Sequence, residues 1–306
     1  MHYVKFTTHK PLSLYGYIYH WFSARQLGMC CLVLSSLLLT SCGGGGSGKS
    51  VGPVAVASKK LQMGAISYWS TSSLYDQLPS GSIAVVNPSN GILTGQTSTV
   101  TPDVGSYASI VTAAAARNVS MLGYVPTGYF DHTCNIAGQC QTLARINAQV
   151  QAYFQNMPNL AGIFFDEASP KVWTCSTYLA EYQQLRAMVQ LYSPQAKVAF
   201  NAGFPDTCTV DATAAGEILA LFEGDLATYA SQAGLINTAN AAAVAKGVIP
   251  WHLVYSVSNT TDLATVLFQA ASSKTTLVYA TDLPAGSTTW GALPTYWTQE
   301  LSLLGY

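Results

Sequence analysis

Residues 160–167 read Leu-Ala-Gly-Ile-Phe-Phe-Asp-Glu, an apolar run that ends in two adjacent carboxylates. A short, nearly continuous apolar run of this kind is typical of a parallel β-strand that is buried on both faces. Similar runs recur along the chain. They are GAISYW (64–69), IAVVNP (83–88), SMLGYV (120–125), KVAFNAG (197–203), LALFEGD (219–225), IPWHLVYSV (249–257) and TLVYATD (276–282).

Helix-like segments separate these runs. We predict helices over about 104–117, 142–156, 176–192, 226–246, 261–273 and 294–304, and a brief one near 211–218. Strands that alternate with crossover helices predict an α/β protein with a single closed (β/α)8 TIM-type barrel, which occupies residues 61–306. A doubly wound sheet is the alternative fold.

The start of the chain has the pattern of an export signal. Residues 1–26 carry basic residues but no Asp or Glu, and an apolar stretch follows over 27–39. The sequence Leu-Leu-Thr-Ser before Cys42 resembles a bacterial lipobox. We therefore predict a lipoprotein signal peptide over 1–41, then a lipidated Cys42 that begins a Gly/Ser-rich tether over 42–60. A plain signal peptide cut near the same place is the alternative.

These features predict an extracytoplasmic protein of the cell envelope, attached to the membrane only through its lipid anchor. The chain carries 13 Lys and Arg against 14 Asp and Glu. Nucleic-acid binding needs a basic face, so the composition argues against that class of function. We expect a monomer whose partner is its substrate.

Four cysteines remain in the predicted mature chain, at 134, 140, 175 and 208. An even number in an exported protein indicates disulfides. Three sets of pairings are possible, and we favour Cys134–Cys140, which closes a short loop, with Cys175–Cys208. No tight Cys or His spacing typical of a metal site is present, so we predict no metal and no other cofactor.

Polar and aromatic side chains end the predicted strands, which is where a (β/α)8 barrel carries its active site. They are Tyr68, Trp69, Asn87, Tyr124, Asp166, Glu167, Asn201, Glu223, Asp225, His252, Tyr255 and Asp282. A carboxylate that follows a buried apolar run costs free energy to desolvate, so it is expected to be hydrogen-bonded or to take part in the chemistry of a site. Capping of the next helix explains Asp225 and Asp282 equally well.

Paired carboxylates are the minimum chemistry for glycoside hydrolysis. Strands 4 and 6 are two apart, so Asp166 and Glu223 can face each other across the barrel mouth. We predict that Asp166 is the nucleophile or electrostatic stabiliser and that Glu223 is the general acid/base, with a raised pKa. Glu167 would support them, because neighbours along a strand point to opposite faces. Exchange of the Asp166 and Glu167 roles stays open.

Five segments in order carry a family resemblance. They are VVNPSNG (85–91), LGYVPTGY (122–129), GIFFDEAS (162–169), VAFNAG (198–203) and LFEGD (221–225). The chain resembles the spherulin-4-like proteins of glycoside hydrolase family 135. The resemblance implies a (β/α)8 barrel and endo-hydrolysis of α-1,4-linked N-acetylgalactosamine in galactosaminogalactan-type exopolysaccharide. It implies that the functional carboxylates are Asp166, Glu167 and Glu223, and that substrate contacts come from Tyr68, Asn87, Tyr124, Asn201 and Asp282.

The lipobox departs from this family, whose well-known members are fungal. A bacterial enzyme could act on a related galactosamine-rich exopolysaccharide of biofilms. The competing hypothesis is a non-catalytic, polysaccharide-binding surface lipoprotein. A metal-dependent deacetylase is disfavoured, because the only histidines of the predicted mature chain are His132 and His252, without ligand spacing.

Overall fold

The computed structural model describes residues 60–132, 141–169 and 174–306. In these ranges, eight parallel strands close into a barrel in chain order. The strands are β1 (Gln62–Ser67), β2 (Ile83–Val86), β3 (Ser120–Pro126), β4 (Gly162–Asp166), β5 (Lys197–Asn201), β6 (Ile218–Asp225), β7 (Ile249–Tyr255) and β8 (Leu277–Ala280). The predicted strands and the (β/α)8 barrel are confirmed. Pairing of β1 with β8 excludes the doubly wound sheet.

Helices surround the barrel. They are α1 (Ser72–Tyr75), α2 (Val104–Ala116), α3 (Leu143–Asn156), α4 (Cys175–Tyr192), α5 (Thr207–Ala212), α6 (Leu226–Ser231), α7 (Ala233–Lys246), α8 (Thr260–Ser272) and α9 (Trp297–Leu304).

Three helix predictions need correction. The segment 226–246 forms two helices, because Gln232 leaves helical geometry with φ −96° and ψ 9°. The brief helix predicted near 211–218 begins earlier, at Thr207, where the Asp206 side chain accepts a capping hydrogen bond from the Cys208 N–H. The last helix begins at Trp297 rather than at residue 294.

Aromatic side chains fill the barrel interior. The rings of Phe164 on β4 and Trp251 on β7 meet edge to face at 5.5 Å, and Tyr124 on β3 lies 6.3 Å from Phe164. The Trp251 indole donates to the Gly64 carbonyl on β1 at 2.8 Å. β7 is a neighbour of neither β4 nor β1, so the two contacts of Trp251 cross the interior. Alternation along β4 then points Asp166, two residues after Phe164, into the barrel as well.

The opposite faces of the strands pack against the helices. Phe200 on β5 stacks on Phe165 at 5.7 Å and on Tyr182 of α4 at 3.9 Å. Arg186 on α4 binds the Glu217 carboxylate through Nε at 2.5 Å and Nη2 at 2.7 Å. This bidentate pair fixes α4 to the chain just before β6.

The predicted Cys175–Cys208 disulfide is present and joins α4 to α5, with Cα atoms 4.8 Å apart. The predicted Cys134–Cys140 bond lies outside the described residues. So do the predicted signal peptide, Cys42 and nearly all of the tether. No helix in the described ranges is both long enough and apolar enough to span a bilayer.

Two glycines test how tightly the interior is packed. A Cβ added at Gly64 would lie 2.8 Å from Trp251 Nε1, whereas one added at Gly105, in α2, would meet open space. We expect Gly64→Ala to lower the free energy of unfolding by about 1–3 kcal/mol through overpacking. The control, Gly105→Ala, should raise it by about 0.5–1 kcal/mol. Urea denaturation measures both, and equal effects would contradict this packing.

Candidate active site

A β-bulge in β6 turns Glu223 into the barrel. Ala220 pairs with Trp251, which faces the interior, but the next pair is Phe222 with His252, so β6 contains one extra residue. Phe222 and His252 consequently face the helices, and the following residue, Glu223, faces inward. Without the extra residue, simple alternation from Ala220 would point Glu223 outward.

The prediction that His252 lies at the barrel mouth is wrong. Its ring is buried among the helices, where Nδ1 lies 2.8 Å from the Tyr229 hydroxyl and Nε2 lies 3.2 Å from Asn240 Oδ1. Burial lowers the pKa of His252 to about 3. His252 is therefore a neutral structural residue of the outer layer.

One amide group bridges the two predicted catalytic carboxylates. Asn201 Nδ2, at the end of β5, donates to Asp166 Oδ1 at 2.8 Å and to Glu223 Oε2 at 2.5 Å. The two oxygens cannot be further apart than the sum of these distances. This upper limit is shorter than the carboxyl separation in inverting glycosidases, which is ~6.5 Å or more. It is close to the ~5–5.5 Å separation in retaining glycosidases.

Tyrosines cover the Asp166 side of this bridge. The Tyr124 hydroxyl donates to Asp166 Oδ2 at 2.7 Å, and the Tyr68 ring contacts Tyr124 edge-on at 5.3 Å. Burial raises the pKa of Asp166, while hydrogen bonds from Tyr124, the Glu167 backbone and Asn201 favour its ionised form. Burial, and after it the Asp166 charge, raise the pKa of Tyr68. Tyr68 is therefore a neutral hydroxyl beside the carboxylates.

Trp290 completes the Glu223 side and was missed by sequence reasoning. Its indole Nε1 donates to Glu223 Oε1 at 3.2 Å, and its carbonyl accepts from the Tyr68 N–H at 3.1 Å. Trp290 lies in the loop between β8 and α9, eight residues after the end of the predicted strand. A lone large aromatic residue in this polar loop was the available signal.

Glu223 has the pKa expected of a general acid. It is partly accessible at the barrel mouth, yet surrounding protein removes most of its hydration. Burial, and after it the Asp166 charge, raise the pKa of Glu223 to about 7, against hydrogen bonds from Asn201 and Trp290 that favour the ionised form. This agrees with the sequence-based expectation. A carboxyl group with such a pKa can both donate and accept a proton near neutral pH.

Glu167 lies on a strained turn directly after β4. Its φ of 55° is in the left-handed region, so the strand has already ended and Glu167 does not follow the strand alternation. The β3–α3 loop holds this turn. Thr127 donates from Oγ1 to the Glu167 carbonyl at 2.7 Å, and Gly128 N–H donates to Glu167 Oε2 at 3.0 Å. The Glu167 carboxylate is thereby held against the β3–α3 loop.

Three further predicted residues form hydrogen bonds with nearby residues of their own loops. Asn87 Oδ1 accepts from the Gly91 N–H at 2.8 Å, and Asp282 Oδ2 accepts from the Thr295 hydroxyl at 2.6 Å. Asp225 caps α6, accepting from the Thr228 N–H at 2.7 Å. A substrate contact by Asn87 or Asp282 stays a prediction, whereas for Asp225 the capping role is present in the structure.

Two carboxylates held together at the C-terminal mouth of a (β/α)8 barrel define the architecture of barrel glycoside hydrolases. The family model described as "Spherulation-specific family 4" matches residues 68–304. The chain therefore belongs to the spherulin-4 family.

Two known proteins illustrate the similarity. Spherulin-4 of Physarum polycephalum is 30% identical over 105 residues, which cover 34% of this chain and 27% of that protein. The match thus spans about a quarter of that relative's length. The crystal structure of Aspergillus clavatus Sph3 in complex with GalNAc superimposes with a TM-score of 0.62 at 18% identity, covering 81% of this chain and 98% of that one. At this identity the likeness establishes a shared fold.

Removing the shared amide should make stability more sensitive to pH. The folded-state pKa of Glu223 lies above its ordinary value. Its contribution to stability is therefore greatest at low pH and is lost as the pH rises through about 7. We expect Asn201→Leu to steepen this loss, costing about 1–3 kcal/mol more at pH 8 than at pH 5. Unfolding curves at both pH values measure it. In a Glu223→Gln background, the extra loss of stability that Asn201→Leu causes at pH 8 should be smaller. If it is unchanged, Asn201 does not stabilise the ionised Glu223.

Proposed function

We propose that this protein is an endo-acting glycoside hydrolase of α-1,4-linked N-acetylgalactosamine or galactosamine exopolysaccharide. The observation that carries the proposal is the Asn201 bridge: Asp166 Oδ1 and Glu223 Oε2 both accept from Asn201 Nδ2, and a close carboxylate pair is what glycosidic chemistry needs. Membership of the spherulin-4 family supports it independently.

The roles of the two carboxylates follow from their surroundings. Burial raises the pKa of Asp166, but hydrogen bonds from Tyr124 and Asn201 oppose this and favour the anionic form, which suits a nucleophile. The raised pKa of Glu223 suits an acid that starts protonated. Glu223 would protonate the glycosidic oxygen while Asp166 attacks the anomeric carbon and the C–O bond breaks. Glu223, now ionised, would then take a proton from the water that releases the sugar from Asp166.

Glu167 fits a supporting role in this scheme. Its carboxylate accepts the Gly128 N–H, whereas the Asp166 carboxylate shares Asn201 with Glu223. The strain of the left-handed backbone at Glu167 is of the kind that persists at functional sites because surrounding contacts hold it. We therefore assign the nucleophile to Asp166 rather than to Glu167.

The choice of sugar rests on similarity. Sph3, which shares the fold, was crystallised with GalNAc. An uncharged or amino sugar also suits this mouth, where tyrosines and Trp290 surround the carboxylates. The location that we propose for the activity is the extracytoplasmic side of the cell envelope, with Cys42 as the lipid anchor, and residues 1–60 of the sequence support it.

Loss of either carboxylate should abolish cleavage. We expect Asp166→Asn and Glu223→Gln each to lower kcat by roughly 10³-fold or more, because each removes a group that reacts in the transition state. New reducing ends released from purified α-1,4-linked N-acetylgalactosamine polymer measure the rate. The control is Asp262→Asn, which changes a partly exposed carboxylate at the start of α8, hydrogen-bonded to Asn259, and should leave the rate unchanged.

Binding without cleavage is the outcome that would overturn the hydrolase. If the unaltered protein binds the polymer but releases no reducing ends, the barrel mouth is a binding groove and the protein a polysaccharide-binding surface lipoprotein. If cleavage occurs but survives Asp166→Asn, the nucleophile must be Glu167 or another group.

The short carboxylate spacing predicts retention of configuration. A covalent sugar–Asp166 intermediate followed by attack of water gives two inversions at the anomeric carbon, so the first product should be the α-anomer. Proton NMR of the anomeric signals during the first minutes of reaction measures this. Initial formation of the β-anomer would instead require water between the carboxylates and would rule out Asp166 as nucleophile.

A further inference from the structure

Trp290 is fixed from several directions at once. Its side chain is only 7% exposed, and its ring lies 6.2 Å from Tyr255 and 5.7 Å from Tyr279. Its backbone carbonyl accepts from the Tyr68 N–H at 3.1 Å. The indole therefore cannot turn away from Glu223 without losing packing against β7 and β8, and the hydrogen bond to Tyr68 holds the backbone that carries it.

The two oxygens of Glu223 have unequal hydrogen bonds. Oε2 lies 2.5 Å from Asn201 Nδ2, whereas Oε1 lies 3.2 Å from the Trp290 indole nitrogen. The shorter bond stabilises negative charge on Oε2 more strongly, which leaves Oε1 as the oxygen better suited to carry the proton of the neutral acid. Trp290 thus contacts the oxygen through which the proton is donated and recovered.

We infer that Trp290 is a positioning residue for the proposed hydrolysis: its indole N–H fixes Glu223 Oε1 and stabilises the ionised state of that carboxyl group. The inference rests on the proposed function. The second half of the reaction needs Glu223 as a base, and a donor at Oε1 favours that form without blocking protonation in the first half.

Other polar and titratable groups also face Glu223. Asp166 on β4 disfavours a second negative charge on Glu223. The charge of Glu223 in turn contributes to the raised pKa values of Tyr68, after β1, and Tyr255, on β7. Asn201 favours ionisation but is shared with Asp166. Trp290 is a donor that serves Glu223 separately from this shared amide.

The test replaces only the N–H donor. Trp290→Phe keeps an aromatic ring between Tyr255 and Tyr279 but loses the hydrogen bond. The matched control is Trp297→Phe, whose ring packs 6.4 Å from Tyr279 on the α9 side. The sequence contains five glutamates, so ¹³C labelling of Glu side chains gives few signals, and Glu223→Gln identifies the one that matters.

We expect the Glu223 signal to titrate about one pH unit higher in Trp290→Phe, because a hydrogen bond to a charged group stabilises that state roughly tenfold. The basic limb of kcat/KM should move up by the same amount, kcat at pH 6 should fall about tenfold, and KM should change less than about twofold. Trp297→Phe should move neither the titration nor the limb.

The readouts separate the two proposals. A Glu223 titration that does not move in Trp290→Phe overturns the role of Trp290, whether or not the polymer is cut. A titration that moves while the unaltered protein releases no reducing ends overturns the hydrolase, and with it the catalytic part of this inference. A moved titration with an unmoved basic limb overturns Glu223 as the group that limits activity at high pH.

Discussion

A single amide group, that of Asn201, holds together two acids that would otherwise repel each other. Each of its two hydrogens serves one carboxylate, and Tyr124 and Trp290 supply one donor each to the oxygens that remain. Each of the four carboxylate oxygens thus faces a donor. This balance explains how the barrel mouth can carry two largely buried carboxylates at short range. It also ties five separate parts of the barrel, the strands β3 to β6 and the last loop, to one geometry.

The layers above and below the bridge have different physical characters. Below it, Phe164, Trp251 and Tyr124 form a packed aromatic layer, which fixes the direction of each strand end. Above it, the Asp166–Glu167 turn is held by hydrogen bonds from Thr127 and Gly128, and its backbone is strained. Rigid packing supports the bridged pair, while polar contacts shape the surface that a substrate would meet.

Much of the fold could be predicted because buried parallel strands appear in the sequence as nearly continuous apolar runs. The acids at the ends of β4 and β6 were recognised from the same runs, since a carboxylate beside a buried apolar run is costly to desolvate unless it is hydrogen-bonded or takes part in the chemistry. Other features depend on long-range contacts. His252 follows the pattern of a strand-end residue, but only the register with β6 shows that it faces the helices. Trp290 lies far from Glu223 in sequence, and no local pattern reveals its indole hydrogen bond. The break at Gln232 reflects dihedral angles that composition does not encode.

The extra residue in β6 has a consequence for how relatives are compared. It acts as a phase shift: upstream of it the odd and even positions of the strand have one assignment of faces, and downstream they have the other. A relative that aligns a glutamate with Glu223 but lacks the shift would bury that glutamate against its helices and present its neighbour to the substrate. Retention of the acid in an alignment is therefore an incomplete marker of a working site in this family, and the length of the strand segment before it must match as well.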